Sequence, residues 1–244
     1  MKNLLEVSGL DKSLGGKPVL RGLAFNLQAG EFAGLIGPNG SGKSTLMRCL
    51  CGVLPADAGR IVIEGHVLGD DPRAARHRLG YAVDPALLPA ELDGRQCLEL
   101  VAQARGLAAV PVDSFNLARQ LGLDRYLDAI VASYSLGTRQ KLSVVLALLG
   151  QPPLLLLDES LNGLDPISAL ALKEHLAWLA RERGCAVLLA THSLEIAEFF
   201  LTRASLLLGG RLVRDWHAQE LEQLRHAPGQ SLERAVVEVL RSSA

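Results

Sequence analysis

A glycine-rich stretch is the most chemically specific feature of the sequence. Residues 37–45 read GPNGSGKST, which satisfies the phosphate-binding pattern G-x-x-x-x-G-K-[ST]. Glycines let such a loop wrap so that backbone N–H groups converge on phosphate oxygens, and the following helix adds its positive end. We expect Lys43 to reach the β- and γ-phosphates and Ser44 to bind Mg²⁺. The predicted nucleotide-binding residues of this loop are Gly37, Pro38, Asn39, Gly40, Ser41, Gly42, Lys43, Ser44 and Thr45.

Two adjacent carboxylates form a second candidate site. Residues 154–159 read LLLLDE, a hydrophobic strand that ends in Asp158 and Glu159. The carboxyl-terminal edge of a parallel sheet is where α/β proteins bind ligands. Asp158 is therefore the candidate partner of Mg²⁺, and Glu159 is the candidate general base for an attacking water.

The elements around these residues predict an α/β core. The apolar run 32–36 reads as a buried strand before the glycine-rich loop, and 44–50 reads as a helix after it. The N-terminal third has strand-like patterns at 4–7, 19–27 and 60–63, whereas 93–126 has only helical periodicity. Helices at 138–149 and 167–183 alternate with strands at 154–157 and 186–190. This alternation predicts a mostly parallel sheet with an inserted helical segment, followed by an exposed helical tail from 218 to 244.

The composition excludes several classes of protein. The 244 residues are 49% hydrophobic and carry a formal net charge of −1, which gives no electrostatic reason to expect nucleic-acid binding. No uninterrupted apolar run approaches the roughly 20 residues of a membrane span. The four cysteines lack zinc-like spacing, so buried, reduced thiols in a cytosolic protein are expected.

A third motif narrows the choice among nucleotide-binding families. Residues 134–142 read YSLGTRQKL, which resembles a divergent form of the LSGGQ signature of ABC ATPases, with Ser135 and Gly137 at matching positions. SLNGLDP at 160–166 resembles the D-loop of that family, with Asp165 as its acid. THS at 191–193 places His192 at the position of the switch histidine, which senses the γ-phosphate. With the phosphate loop and LLLLDE, these motifs identify the chain as similar to ABC ATPases over residues 3–240, and the helical segment resembles that of exporter-type members.

The resemblance implies a specific architecture. The fold would be a P-loop NTPase core with an N-terminal antiparallel β subdomain and an inserted helical subdomain, all within one domain spanning 1–244. Residues 1–92 and 139–215 would form the core, 93–138 the helical subdomain with the signature, and 216–244 a helical tail.

The resemblance also implies how the chain works. Lys43, Glu159 and His192 would be catalytic, with ATP and Mg²⁺ bound between two head-to-tail ATPase subunits in a homodimer or heterodimer. Ser135 and Gly137 would contact nucleotide held by the partner. ATP-driven closure of this dimer would drive transmembrane permease subunits, and the chain would lie on the inner face of the cell membrane.

Two positions depart from the family pattern. The aromatic residue that usually stacks on adenine is replaced by Leu14, which predicts weaker or less base-selective nucleotide binding. Asp84 stands where the Q-loop glutamine is expected, and its carboxylate could face Mg²⁺ or the attacking water. The apolar stretch 85–89 beside it would receive the coupling helix of a membrane partner.

Three functions stay open at this stage. The leading hypothesis is an ATPase that powers a transporter, with export favoured over import. A subunit that holds ATP but hydrolyses it weakly is the alternative that Leu14 and Asp84 favour. A non-transport ABC ATPase that acts on nucleic acid or ribosomes is disfavoured, because such relatives carry two ATPase units or long coiled coils, and this chain has neither.

Overall fold

The computed structural model describes residues 2–192, 199–227 and 229–242. The strands are β1 Asn3–Leu14, β2 Lys17–Gln28, β3 Phe32–Ile36, β4 Ala58–Ile63, β5 His66–Val67, β6 Leu79–Ala82, β7 Leu154–Asp158, β8 Ala186–Thr191, β9 Arg203–Leu208 and β10 Arg211–Trp216. The helices are α1 Lys43–Leu50, α2 Pro72–His77, α3 Gly94–Ala104, α4 Val112–Gln120, α5 Leu136–Leu148, α6 Pro166–Arg183, α7 Ala218–His226 and α8 Leu232–Ser242.

A six-stranded sheet forms the centre of the molecule. Its strand order is β10-β9-β3-β8-β7-β6, and the strands are parallel except for β10, which pairs antiparallel with β9. Every residue of β3 and β8 is buried, as expected for strands covered by helices on both faces. The predicted mostly parallel core is confirmed, and the carboxyl ends of β3, β7 and β8 meet at one edge.

A second, four-stranded sheet has the order β2-β1-β4-β5 and is antiparallel. This confirms the predicted N-terminal β subdomain, but the predicted strands 4–7 and 19–27 were too short. The register of β1 and β2 shifts at several points, and Gly9 and Gly22 adopt a left-handed backbone with φ of 59°. These irregularities interrupt the alternation of apolar and polar residues along β1 and β2. The strands predicted from that alternation therefore ended before the real strands do.

The middle of the chain is helical, as predicted. α3 begins with a capping box in which Asp93 accepts from Gln96 N while the Gln96 side chain accepts from Asp93 N. Two 3-10 turns, at Asp124–Tyr126 and Val131–Ser133, follow α4. α5 then runs without a break from Leu136 to Leu148, so the predicted subdomain boundary at 138/139 falls inside a continuous helix.

The C-terminal tail is helical, but the prediction that it is exposed was wrong. Leu221, Leu232 and Val236 are buried in the same hydrophobic cluster as the central sheet. Val239 and Leu240 pack against that cluster, so α8 turns an apolar face inward. In the ranges given above, each helix is too short or too polar to cross a bilayer.

Candidate active site

The phosphate loop connects β3 to α1, as predicted. Gly40 and Gly42 adopt φ of 81° and 111°, which only glycine takes without strain. A side chain at Gly42 would also meet Leu20 and the Val19 carbonyl of β2 at 3.0–3.2 Å. The loop is therefore held against the N-terminal sheet. The nucleotide-binding residues predicted for this loop all lie on it or in the first turn of α1: Gly37, Pro38, Asn39, Gly40, Ser41, Gly42, Lys43, Ser44 and Thr45.

Lys43 is buried at the first turn of α1. Its ammonium nitrogen donates to the carbonyl oxygens of Gly37, at 2.8 Å, and Pro38, at 3.4 Å. The same nitrogen lies 3.8 Å from Oε1 of Glu159. The only full positive charge of the loop thus points towards the end of β7.

Asp158 is the last residue of β7 and is mostly buried. Its Oδ1 atom has no hydrogen-bond partner among the described residues. Burial raises the pKa of Asp158 above its usual value, while the Ser44 hydroxyl and Lys43 oppose that shift. A buried carboxylate oxygen that lacks a donor, next to a serine hydroxyl, suits a magnesium ion that takes its other ligands from phosphates and water. Among the described residues, no three His, Cys, Asp or Glu side chains cluster closely enough to hold a metal ion by themselves.

Glu159 is fixed by backbone and side-chain contacts. Its N–H donates to the Ala190 carbonyl of β8, and its backbone is left-handed with φ of 50°. Few non-glycine residues adopt this conformation, and those that do are concentrated at functional sites. Both carboxylate oxygens lie 3.0 Å from Nδ1 of His192, and Nδ2 of Asn162 donates to Oε2 at 2.9 Å. Because a carboxylate only accepts, Nδ1 of His192 carries the proton.

Ser135 and Gly137 lie at the N-terminus of α5. The Ser135 hydroxyl caps this helix, because it accepts from Thr138 N at 3.2 Å. A Cβ at position 137 would come within 2.6 Å of the Gly163 carbonyl oxygen. Glycine at 137 therefore lets α5 approach the D-loop segment of the same chain closely. Ser135 and Gly137 lie at α5, whereas the phosphate loop leads into α1.

The side chain of Asp165 links α5 and α6 through hydrogen bonds and an ion pair. It caps α6 through Ser168 N, and Lys141 of α5 donates to its Oδ2 at 2.7 Å. The Lys141 ammonium, followed by the donors of Ser168, holds the pKa of Asp165 far below its ordinary value. The start of α6 is thus tied electrostatically to the helix that carries Ser135.

The two departures from the family pattern lie at the edges of the site. Leu14 ends β1 at a hairpin tip and is 44% exposed. It pairs with Lys17, two residues before Val19, whose carbonyl a side chain at Gly42 would meet. Asp84 follows β6, and its Oδ1 accepts from Ala86 N to cap a 3-10 turn, Pro85–Leu87. The carbonyl before it, on Val83, accepts from the buried hydroxyl of Ser143 in α5.

The structure brings Lys43, at the start of α1, together with Glu159 and His192, which directly follow β7 and β8. Ser44 and Asp158 lie beside them. The structure places Ser135, Gly137, Leu14 and Asp84 on other elements. Ser193 of the THS motif lies outside the described residues.

The sequence analysis missed three supporting residues: Asn162, Lys141 and Ser143. All three sit inside the quoted motifs or directly after them. Only Ser143 carried a signal of its own, as a polar residue in the apolar stretch 142–149.

The sequence is similar to a known protein family and to several of its members. The family model described as "ABC transporter" matches residues 20–162. An uncharacterized ABC transporter ATP-binding protein, YdbJ of Bacillus subtilis, is 33% identical over 237 residues, covering 97% of this chain and 74% of YdbJ. The Nod factor export ATP-binding protein I of Rhizobium sp. (strain N33) is 35% identical, covering 86% of this chain and 69% of that protein.

Solved structures of ABC transporter ATP-binding subunits have the same fold as this chain. A structure described as the ATP binding subunit of an ABC transporter superposes with a TM-score of 0.86 at 33% identity, covering 97% of this chain and 99% of the other. The dimeric bacterial ABC transporter cassette MJ0796 has the same fold, with a TM-score of 0.80 at 23% identity, covering 88% and 98% of the two chains.

Proposed function

The chain belongs to the ABC transporter family as an ATP-binding, ATP-hydrolysing subunit, and we propose that it powers an exporter through ATP-driven closure of a dimer. The proposal for ATP hydrolysis rests mainly on one observation: Lys43 and His192 both lie close to the carboxylate of Glu159. Lys43 Nζ lies 3.8 Å and His192 Nδ1 lies 3.0 Å from its carboxylate. Three residues far apart in sequence thus surround the place where a terminal phosphate would leave the phosphate loop.

The proposed mechanism relies on position and charge more than on covalent chemistry. Lys43 exchanges its loop carbonyl partners for phosphate oxygens. Glu159 accepts a proton from the attacking water, while His192 and Asn162 hold its carboxylate in place. Ser44 and Asp158 would hold Mg²⁺, which supplies charge neutralisation at the phosphates. Asp84 is a further candidate contact to the metal or to water, at the neighbouring strand end.

The dimer is proposed from the surface around the signature. Ser135 and Gly137 stand at a helix N-terminus, which suits contact with an anionic phosphate. Leu136 beside them is 69% exposed and Ile167 at the start of α6 is 79% exposed, which suits burial against a second ATPase subunit. MJ0796, with the same fold, forms a dimer. Either a homodimer or a heterodimer would place these residues on the partner's nucleotide.

The membrane partner is proposed at the turn after β6. Leu87 there is 73% exposed on a short apolar turn, which suits docking of a transmembrane permease subunit. Export is favoured because the similar Rhizobium protein is named for Nod factor export. The chain would then lie peripherally on the inner face of the cell membrane.

A weakly hydrolysing regulatory subunit is the second candidate function. Two observations favour it. Leu14 offers no aromatic ring to a base, and one oxygen of Asp84 is engaged in capping its own turn.

The test is steady-state ATP hydrolysis by the purified chain with Mg²⁺, beside Lys43→Ala and the matched exposed control Lys2→Ala. We expect turnover by the wild type and by Lys2→Ala, and loss of both binding and turnover in Lys43→Ala. Normal ATP binding with no turnover by the wild type, even with a permease present, would support the regulatory candidate instead.

A further inference from the structure

A large cavity lies on the side of the molecule away from the phosphate loop. Its volume is about 900 Å³, it is partly open to solvent, and it is lined by residues of α4, the end of α5, the 150–153 connection and α6. Leu155 and Cys185, at its floor, stand at the amino ends of β7 and β8, whereas Asp158 and His192 stand at the carboxyl ends. Asp158 lies three positions after Leu155 along β7, which is roughly 10 Å. The cavity is therefore distinct from the nucleotide site.

The walls of the cavity are mostly apolar. Leu117 of α4, Val145 and Leu148 of α5, and Leu179 of α6 line it, and each is at most 7% exposed. Pockets that bind small molecules have about this size and this apolar lining, with a few polar groups that orient the ligand.

One wall is aromatic. The rings of Trp178 and His175 lie 5.8 Å apart at 34°, and both border the cavity. Burial lowers the pKa of His175, so its ring is neutral near pH 7 and behaves as an aromatic surface. The guanidinium of Arg183 lies 5.3 Å from the Trp178 ring centre, which shows that this ring already associates with a cation.

The rim of the cavity carries two acidic side chains, Asp113 of α4 and Glu174 in the middle of α6. One basic side chain, Arg183, lines the cavity at the C-terminal end of α6. The Gln151 side chain donates to Asp113 Oδ2 at 2.8 Å, and the backbone of Gln151 is left-handed with φ of 51°. This hydrogen bond ties the 150–153 connection to α4 at the rim of the cavity.

We propose that this cavity binds a small aromatic amine, with its ring between Leu148 and Trp178 and its ammonium group at Asp113 and Glu174. The apolar walls and the aromatic pair favour a planar hydrophobic body, and the two carboxylates favour a positive charge. The same carboxylates disfavour nucleotides and other anions. A bound ligand would bridge α4 to α6, the helix that Asp165 caps.

Isothermal titration calorimetry with two matched probes tests this assignment. 2-(1-Naphthyl)ethylamine and 1-naphthylacetate share a ring and differ in charge. We expect the amine to bind and the acetate to bind at least about tenfold more weakly, because each nearby carboxylate attracts one and repels the other. Equal binding of both probes, tighter binding of the acetate, or binding of neither would overturn the proposal.

Two pairs of variants locate the site. Ala171→Phe fills the cavity, whereas Leu170→Phe adds the same ring to the exposed neighbouring position of α6, so only the first should abolish amine binding. Glu174→Gln, a conservative change at an exposed residue, should lower amine affinity several-fold and leave acetate affinity unchanged or higher. ATP hydrolysis and thermal melting of each variant report folding independently. Amine binding that survives Ala171→Phe in a folded protein would contradict the location.

Discussion

Nδ1 of His192 lies 3.0 Å from both carboxylate oxygens of Glu159, although the two residues follow different strands. The contact follows from the sheet, because Glu159 N–H donates to Ala190 O, two residues before His192. Parallel pairing of β7 with β8 therefore sets the register that brings the histidine to the carboxylate. The hydrogen bond fixes the Glu159 side chain and the proton position on His192 together.

Replacement of His192 by alanine removes this hydrogen bond. We expect kcat for ATP hydrolysis to fall roughly 100-fold, as when a preorganised donor is lost from a catalytic site, with little change in ATP affinity. Stopped assays of phosphate release and equilibrium nucleotide binding separate the two effects. His226→Ala, which removes an exposed histidine that pairs with Glu222, is the control and should leave both constants unchanged. A parallel loss in both variants would argue for a general effect on folding.

Asp158 and Ser44 are expected to hold magnesium. In Asp158→Asn, the Mg²⁺ concentration for half-maximal hydrolysis should rise by about tenfold or more, since a ligand charge is lost. Titration of ATP hydrolysis with MgCl₂ at saturating ATP measures this half-maximal concentration. Asp128→Asn, at an exposed residue paired with Arg95, should keep the wild-type magnesium dependence. An unchanged dependence in Asp158→Asn would place the ion elsewhere.

Leu14 limits recognition of the base. Leu14→Tyr adds a ring that can stack on adenine, and we expect the Kd for ATP to fall roughly tenfold, within the range measured for base stacking. Comparison of ATP with GTP by equilibrium binding shows whether selectivity rises as well. Leu87→Tyr adds the same side chain to another exposed leucine and should have no such effect. Identical affinities in wild type and Leu14→Tyr would mean that the base binds away from β1.

Asp165 stabilises the start of α6 as a charged cap. Asp165→Ala should lower the free energy of unfolding at pH 7 by about 1 kcal/mol, as for other N-cap residues. The pKa of this carboxyl is lowered in the folded protein, so its contribution is present above the unfolded value of about 4 and is lost as pH falls below it. Urea unfolding at pH 7 and at lower pH should show the difference between wild type and variant shrinking in acid. A difference that grows in acid would contradict this sign.

The sequence was sufficient for the parts of the fold that local pattern determines. The buried run 32–36, the glycine loop and the strand before Asp158 each carry their own signal, since an apolar strand followed by glycines or carboxylates has few alternatives. The helical middle segment was equally clear from its periodicity.

Other features depend on partners distant in sequence and could not be predicted. The hydrogen bond from Asn162 to Glu159 forms next to a left-handed backbone at Glu159, which no propensity predicts. The burial of Leu232 depends on the surface that other elements present to α8. The ion pair between Lys141 and Asp165 spans 24 positions, and only the packing of α5 against the start of α6 reveals it.

Glu159→Gln offers the most direct test of the account, because it removes the base and keeps the size of the side chain. ATP hydrolysis, ATP binding and the molar mass in the presence of ATP would be measured for this variant and the wild type. We predict that the variant binds ATP, loses at least about 100-fold in turnover and accumulates as an ATP-bound dimer. Wild-type turnover in Glu159→Gln would show that Glu159 is not the general base and would contradict the proposed mechanism.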